Sequence, residues 1–102
     1  MTPEGELKKQ VLDFLNKTGE FYLRVNSGIV RVKRGFLHLA PEGTADLLIF
    51  RDVPHWIELK AGTTKKSRAE KQAEFRDKVL SLGHRHCVAR SLDDVRNFLE
   101  AM

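Results

Sequence analysis

The chain has 102 residues and only one cysteine, Cys87. That excludes an internal disulfide and a zinc site built from several thiolates, and it fits a reducing, cytoplasmic setting. Proline and glycine together account for 3 and 7 residues, too few for a fibrous or low-complexity chain. Apolar runs are short, as in Leu47-Leu48-Ile49-Phe50, so no helix is expected to span a bilayer. The residues after Met1 are polar and acidic, and no secretory leader is expected. Neither sign of charge dominates: 18 basic against 14 acidic side chains leave +4, modest beside dedicated DNA-binding domains. What is present, 41% hydrophobic and 31% charged residues, is the composition of one globular domain over 1–102.

The charge is unevenly placed. Residues 17–37 carry five basic groups and one acid, and residues 60–78 carry seven and three, so each block is +4. Between them, residues 38–59 carry one basic group and four acids, or −3. Basic blocks attract a phosphate backbone, and an acidic stretch between them suits a divalent cation held against phosphate. Arg24, Arg31, Lys33, Arg34, Lys65, Lys66 and Arg68 are the candidate DNA contacts.

Hydrophobic spacing predicts the elements. Thr2-Pro3 opens a helix over 3–17 with Leu7, Val11, Phe14 and Leu15 on one face. Phe21, Leu23 and Val25 alternate with polar residues as a strand, Asn26-Ser27-Gly28 turns, and Ile29 to Lys33 restarts a strand, as a bend or a hairpin. Residues 34–44 show no regular pattern. Ala45 to Phe50 and His55 to Lys60 read as two central strands. A helix follows over 68–82, opened by a Ser67–Glu70 capping box, then a strand over 84–90 and a helix capped by Ser91. The order α-β-β-β-β-α-β-α, with a right-handed parallel crossover near its end, implies an α/β fold: a central mixed sheet flanked by helices.

One constellation carries chemistry. Asp46 is the lone carboxylate at the head of an apolar strand, and Glu58 lies two residues before Lys60 on the next. Alternation puts Glu58 and Lys60 on one side of their strand. If the two strands form a hairpin around 51–54, Asp46 comes opposite residues near 58–60. Two carboxylates with carbonyls and waters suit Mg²⁺, which would polarise a phosphodiester oxygen and lower the pKa of a bound water. Lys60 would orient that water or neutralise developing charge. Gln72, on the apolar face of the following helix, would position Lys60 or the water, and Glu6 on the first helix would accept from a metal-bound water or complete a second site. Taken singly each feature is weak: a same-face Glu-x-Lys pair is worth less than about 1 kcal/mol.

As an ordered set, Glu6, Gly43-Thr44-Ala45-Asp46, Glu58-Leu59-Lys60, and Gln72 three residues before Phe75 resemble the PD-(D/E)xK nuclease superfamily, and within it the VRR-Nuc family. The resemblance runs from Glu6 to about Leu99; the pair that opens the superfamily pattern, Pro-Asp, is Ala45-Asp46 here. It implies a PD-(D/E)xK nuclease-like core and an Mg²⁺-dependent endodeoxyribonuclease, with Mn²⁺ substituting. It also implies metal ligation by Asp46, Glu58 and the backbone carbonyl of Leu59. In a regular strand that carbonyl points away from the two flanking side chains, so ligation would require a twist or fray. Small viral members of the family imply a homodimer acting on branched DNA such as Holliday junctions, and a phage- or virus-encoded protein acting in its host cell. A non-catalytic nucleic-acid-binding module that keeps the fold is the alternative, and a structural or dimerisation domain a third. Gly62 to Ser67 hints at a phosphate loop but has Ile57 where an earlier glycine is needed, and His84, His86 and Cys87 lack a second ligand pair for zinc.

Overall fold

Thr2 starts the first helix as expected: its hydroxyl accepts from the Gly5 N–H at 3.0 Å, and helix α1 runs Pro3–Thr18. Gly19 ends it in the left-handed region, φ 74, which glycine reaches without a Cβ clash. The computed structural model describes residues 2–63 and 65–101; Thr64, part of the phosphate-loop reading, lies outside them. Strands β1 (Tyr22–Arg24), β2 (Ile29–Val32), β3 (Gly35–His38), β4 (Leu47–Phe50) and β5 (Pro54–Leu59) follow, then helix α2 (Lys66–Ser81), strand β6 (Arg85–Ala89) and helix α3 (Leu92–Glu100).

The main sheet is mixed and ordered β1-β4-β5-β6, with β5 and β6 parallel and the other pairs antiparallel. Alternation divides its residues between two faces. Leu47, Ile49, Ile57 and Leu59 join Leu7, Val11 and Leu15 of α1 and Val95 and Leu99 of α3 in the buried core. The opposite face carries Leu48, Trp56 and Glu58 and is covered by α2, whose Phe75 meets Trp56 edge-on at 5.0 Å. Ser91 caps α3 by accepting from the Asp94 N–H at 3.2 Å.

Three expectations change. The irregular 34–44 segment contains β3, which pairs only with β2, so the two form a separate hairpin outside the main sheet. Both hairpin strands are exposed along their whole length. Helix α2 begins at Lys66, so Ser67 lies inside its first turn and no side chain caps it. The β-segment around 21–25 supplies only the edge strand β1, tied to Asp46 through the Val25 N–H at 2.8 Å from the Asp46 carbonyl oxygen.

Candidate functional site

The β4–β5 hairpin builds the centre of the site. Leu47 stands opposite Ile57, and one more antiparallel step places Asp46 opposite Glu58; Glu58 faces α2, and Asp46 borders a cleft between the first turn of α1 and Arg68. Asp46 Oδ2 accepts from the Leu59 N–H at 2.7 Å. A strand residue's N–H and C=O lie on the same edge, so the Leu59 carbonyl lies toward Asp46 without any twist. Glu58 is 3% exposed, and its Oε1 accepts from Gln72 Nε2 at 2.7 Å. Gln72 is held at this place by a close approach: at Gly43, φ +91, a Cβ would fall 2.5 Å from the Lys71 backbone. Only glycine lets the 41–44 loop lie against α2 next to Gln72.

Glu58 Oε2 and Gln72 Oε1 are both buried without a donor among the described residues. Two orphaned oxygens on residues bonded to each other are acceptors that lack a positive partner. The electrostatics agree. Burial first, and then the negative charge of Asp46, push the Glu58 carboxyl up from 4.5 to about 8; Arg68 and Lys60 pull it down. Asp46 is also raised, chiefly by burial, against the Leu59 N–H and the charge of Lys8. Buried carboxylates of like charge favour a shared proton or a cation, and the free donors here are all oxygen, the ligand set of a hard divalent ion. This donor set fits Mg²⁺ or Mn²⁺, which Asp46, Glu58 and the Leu59 carbonyl would hold. Among the described residues no cluster of three or more His, Cys, Asp or Glu side chains gathers in metal-holding geometry, so waters or substrate oxygens would fill the remaining positions.

Of the residues singled out in the sequence, Asp46, Glu58, Lys60 and Gln72 come together: Lys60 lines the same cleft as Glu58 and Gln72. Lys65 and Arg68 line it too, and Arg68 also borders the cleft over Asp46. Lys66 is exposed in the first turn of α2. Arg24 is exposed on β1, and Arg31, Lys33 and Arg34 lie on the β2–β3 hairpin, away from the carboxylates' clefts. Glu6 is not brought in. It lines a separate cleft with Gln10, Arg90 and Leu92, whereas Glu4 lines both carboxylate clefts. The signal was in the spacing: the buried stripe Leu7, Val11, Leu15 steps back by three to Glu4, while Glu6 falls in line with Gln10 and Asp13 on the polar side. Lys8, one turn beyond Glu4, and Glu42 were missed as well; Lys8 borders Asp46 and Glu42 the Glu58 cleft. His84 and His86 stay in an aromatic cluster, with His84 Nδ1 accepting from Trp56 Nε1 at 3.0 Å.

A mixed sheet between helices, with two carboxylates and a lysine near the ends of adjacent strands, defines a mixed α/β domain with an acidic cleft at the sheet's edge. More particularly, the chain is similar to a solved structure described as "VRR_NUC domain", at 22% identity, with 99% of this chain and 98% of that one covered and a TM-score of 0.62. The VRR_NUC fold is therefore the fold of this chain. No family model and no curated protein matches the sequence.

Proposed function

We propose that the protein is a divalent-metal-dependent endodeoxyribonuclease of the VRR-Nuc type that acts on branched DNA. The observation that carries this reading is the pair of buried oxygens without a donor among the described residues, Glu58 Oε2 and Gln72 Oε1, on residues that line one cleft with Lys60. When bound, Mg²⁺ supplies Lewis acidity to the phosphodiester and an activated water. The protein's own groups set the rest. The Leu59 N–H fixes the Asp46 carboxylate, Gln72 fixes that of Glu58, and Lys60 brings an ammonium to the charge that builds on phosphorus oxygens. Arg68 and Lys65 offer phosphate contacts at the rim, where they position the strand without reading sequence. Water adds to phosphorus and gives up a proton to solvent, the bond to one sugar oxygen breaks, and that oxygen leaves with a proton from solvent.

The hairpin β2–β3, exposed along both strands, supports a homodimer. No helix among the described residues is long and apolar enough to cross a membrane. The test is incubation with linear, flapped and four-way-junction DNA with and without Mg²⁺. Metal-dependent cleavage, faster on the branched substrates, is expected. Binding without cleavage under any divalent metal would instead favour the non-catalytic module.

A further inference from the structure

A second cleft opens directly beside the carboxylates. It has a volume of about 600 Å³ and lies between the base of the β2–β3 hairpin and the first turn of α2, within the range of small-ligand sites. Its walls include Ile29, His38, Leu39, Pro41, Glu42 and Arg68. Glu42 and Arg68 line the Glu58–Lys60 cleft as well, so the two spaces are contiguous. Arg68 stands at the junction: its charge acts on both Asp46 and Glu58. We propose that this cleft seats one unpaired nucleotide adjacent to the phosphate held at Asp46, Glu58 and Lys60. The inference rests on the nuclease reading and deepens it, by naming what makes a branched substrate preferred.

The chemistry of the walls selects a base. Register places Ile29 opposite His38, so an aliphatic surface and an imidazole ring stand together on one hairpin face, the kind of platform on which any base stacks. The backbone behind them is already used. The Gly28 N–H donates to the Ala40 carbonyl at 2.9 Å, the Leu39 N–H to the Gly28 carbonyl at 2.9 Å, and the Ala40 N–H to the Asn26 carbonyl at 3.1 Å. These donors are not free to read a base edge, so recognition by stacking is tolerant of sequence. Glu42 opposes a second phosphate inside the cleft and can accept from a base amine, while Arg68 at the border holds the phosphate on the metal side. A base paired within a duplex must be extruded to enter, at the cost of pairing and stacking, whereas one at a branch is already free.

The test uses a flap oligonucleotide with 2-aminopurine scanned one position at a time through the unpaired arm and into the duplex, mixed with the full-length protein in EDTA. One unpaired position next to the branch should change its emission on binding, and the duplex positions should not. In Mg²⁺, replacing that nucleotide by an abasic site should slow cleavage about tenfold, the size of one base-stacking contact. His38→Ala should slow the intact substrate to the abasic rate, removing the preference. Equal cleavage of intact and abasic flaps, or an emission change at no unpaired position, would overturn the inference and leave the nuclease reading standing. The emission change without any cleavage would support the nucleotide seat and sink the nuclease reading.

Discussion

Glu58 is the residue on which the site turns. One of its oxygens is held by Gln72 and the other has no donor, and its carboxyl keeps a proton up to about pH 8. The sign of the consequence is fixed by linkage. The folded protein holds a proton that the unfolded chain sheds near 4.5, so the contribution of this group to stability is complete below that value. It declines as pH rises toward 8. Glu58→Gln removes the titration and adds an amide that can donate to Gln72 Oε1. Without metal, the variant should be more stable than wild type near pH 8, by no more than about 5 kcal/mol at 1.36 kcal/mol per pK unit, and the gap should close toward pH 5. Denaturant melts at the two pH values read this directly; a gap that does not change with pH would contradict the burial of a titrating carboxylate here. Saturating Mg²⁺ should stabilise wild type and not the variant. Glu58→Gln and Asp46→Asn should each lose at least about a hundredfold in cleavage. The role proposed for Lys60 is on charge in the transition state, not on the ion. Lys60→Ala should therefore lose cleavage to a similar degree yet bind Mn²⁺ in calorimetric titration with near wild-type affinity. Metal binding lost to the extent seen in Asp46→Asn would assign Lys60 a different role.

At the scale of elements, the pairing of β4 with β5 was legible, and with it the opposition of Asp46 and Glu58. An apolar run, a short turn and a second strand leave little freedom of register, because a one-residue slip would turn Leu47, Ile49 and Ile57 out of the core. The crossover through α2 was legible for a similar reason: two strands joined by a helix of this length run parallel. The fate of β2 was not. Alternation identifies a strand but says nothing of its partner, and Gly35-Phe36-Leu37-His38 has no alternation at all, so the separation of β2–β3 from the main sheet had no local signal. The start of α2 was misplaced because a capping-box pattern can also occur inside a first turn, where Lys66 is already helical. On α1 the signal existed and pointed to Glu4, on the same line as the buried stripe, and not to Glu6. This carries a prediction of its own. Glu4→Gln should weaken Mn²⁺ binding several-fold, since its charge is felt by both carboxyls, while Glu6→Gln should leave binding and cleavage as they are. Isothermal titration of the two variants decides it; equal losses would return Glu6 to the site.

The whole molecule has a radius of gyration of 14.0 Å, above the roughly 13 Å of a compact chain of about 100 residues, as expected when a two-stranded hairpin stands outside the main sheet. An isolated hairpin is marginally stable in water, and this one exposes apolar side chains on both faces. Register separates them. Ile29 with His38, and Arg31 with Phe36, share the face that opens on the cleft beside the carboxylates; Val30 with Leu37, and Val32, share the other. The first face mixes a cation and rings with apolar groups, as a nucleic-acid surface does. The second offers Val30, Val32 and Leu37, each 44–52% exposed, with no charge among them. Two-fold pairing is the commonest way for identical chains to cover such a surface, and it would set two metal sites on one branched substrate, each able to cut one of two opposed strands. The proposed homodimer contact therefore falls on the Val30–Leu37 face. Light scattering at micromolar concentration should give about twice 11.7 kDa for wild type. Val30→Asp with Leu37→Asp should give the monomer mass, unchanged helical circular dichroism and slower cleavage of four-way junctions. Because these side chains point away from the Ile29–His38 platform, the same double variant should still bind a flap and change the emission of its unpaired base. A wild-type monomer, alone and on junction DNA, would remove the dimer and leave the metal site as it stands.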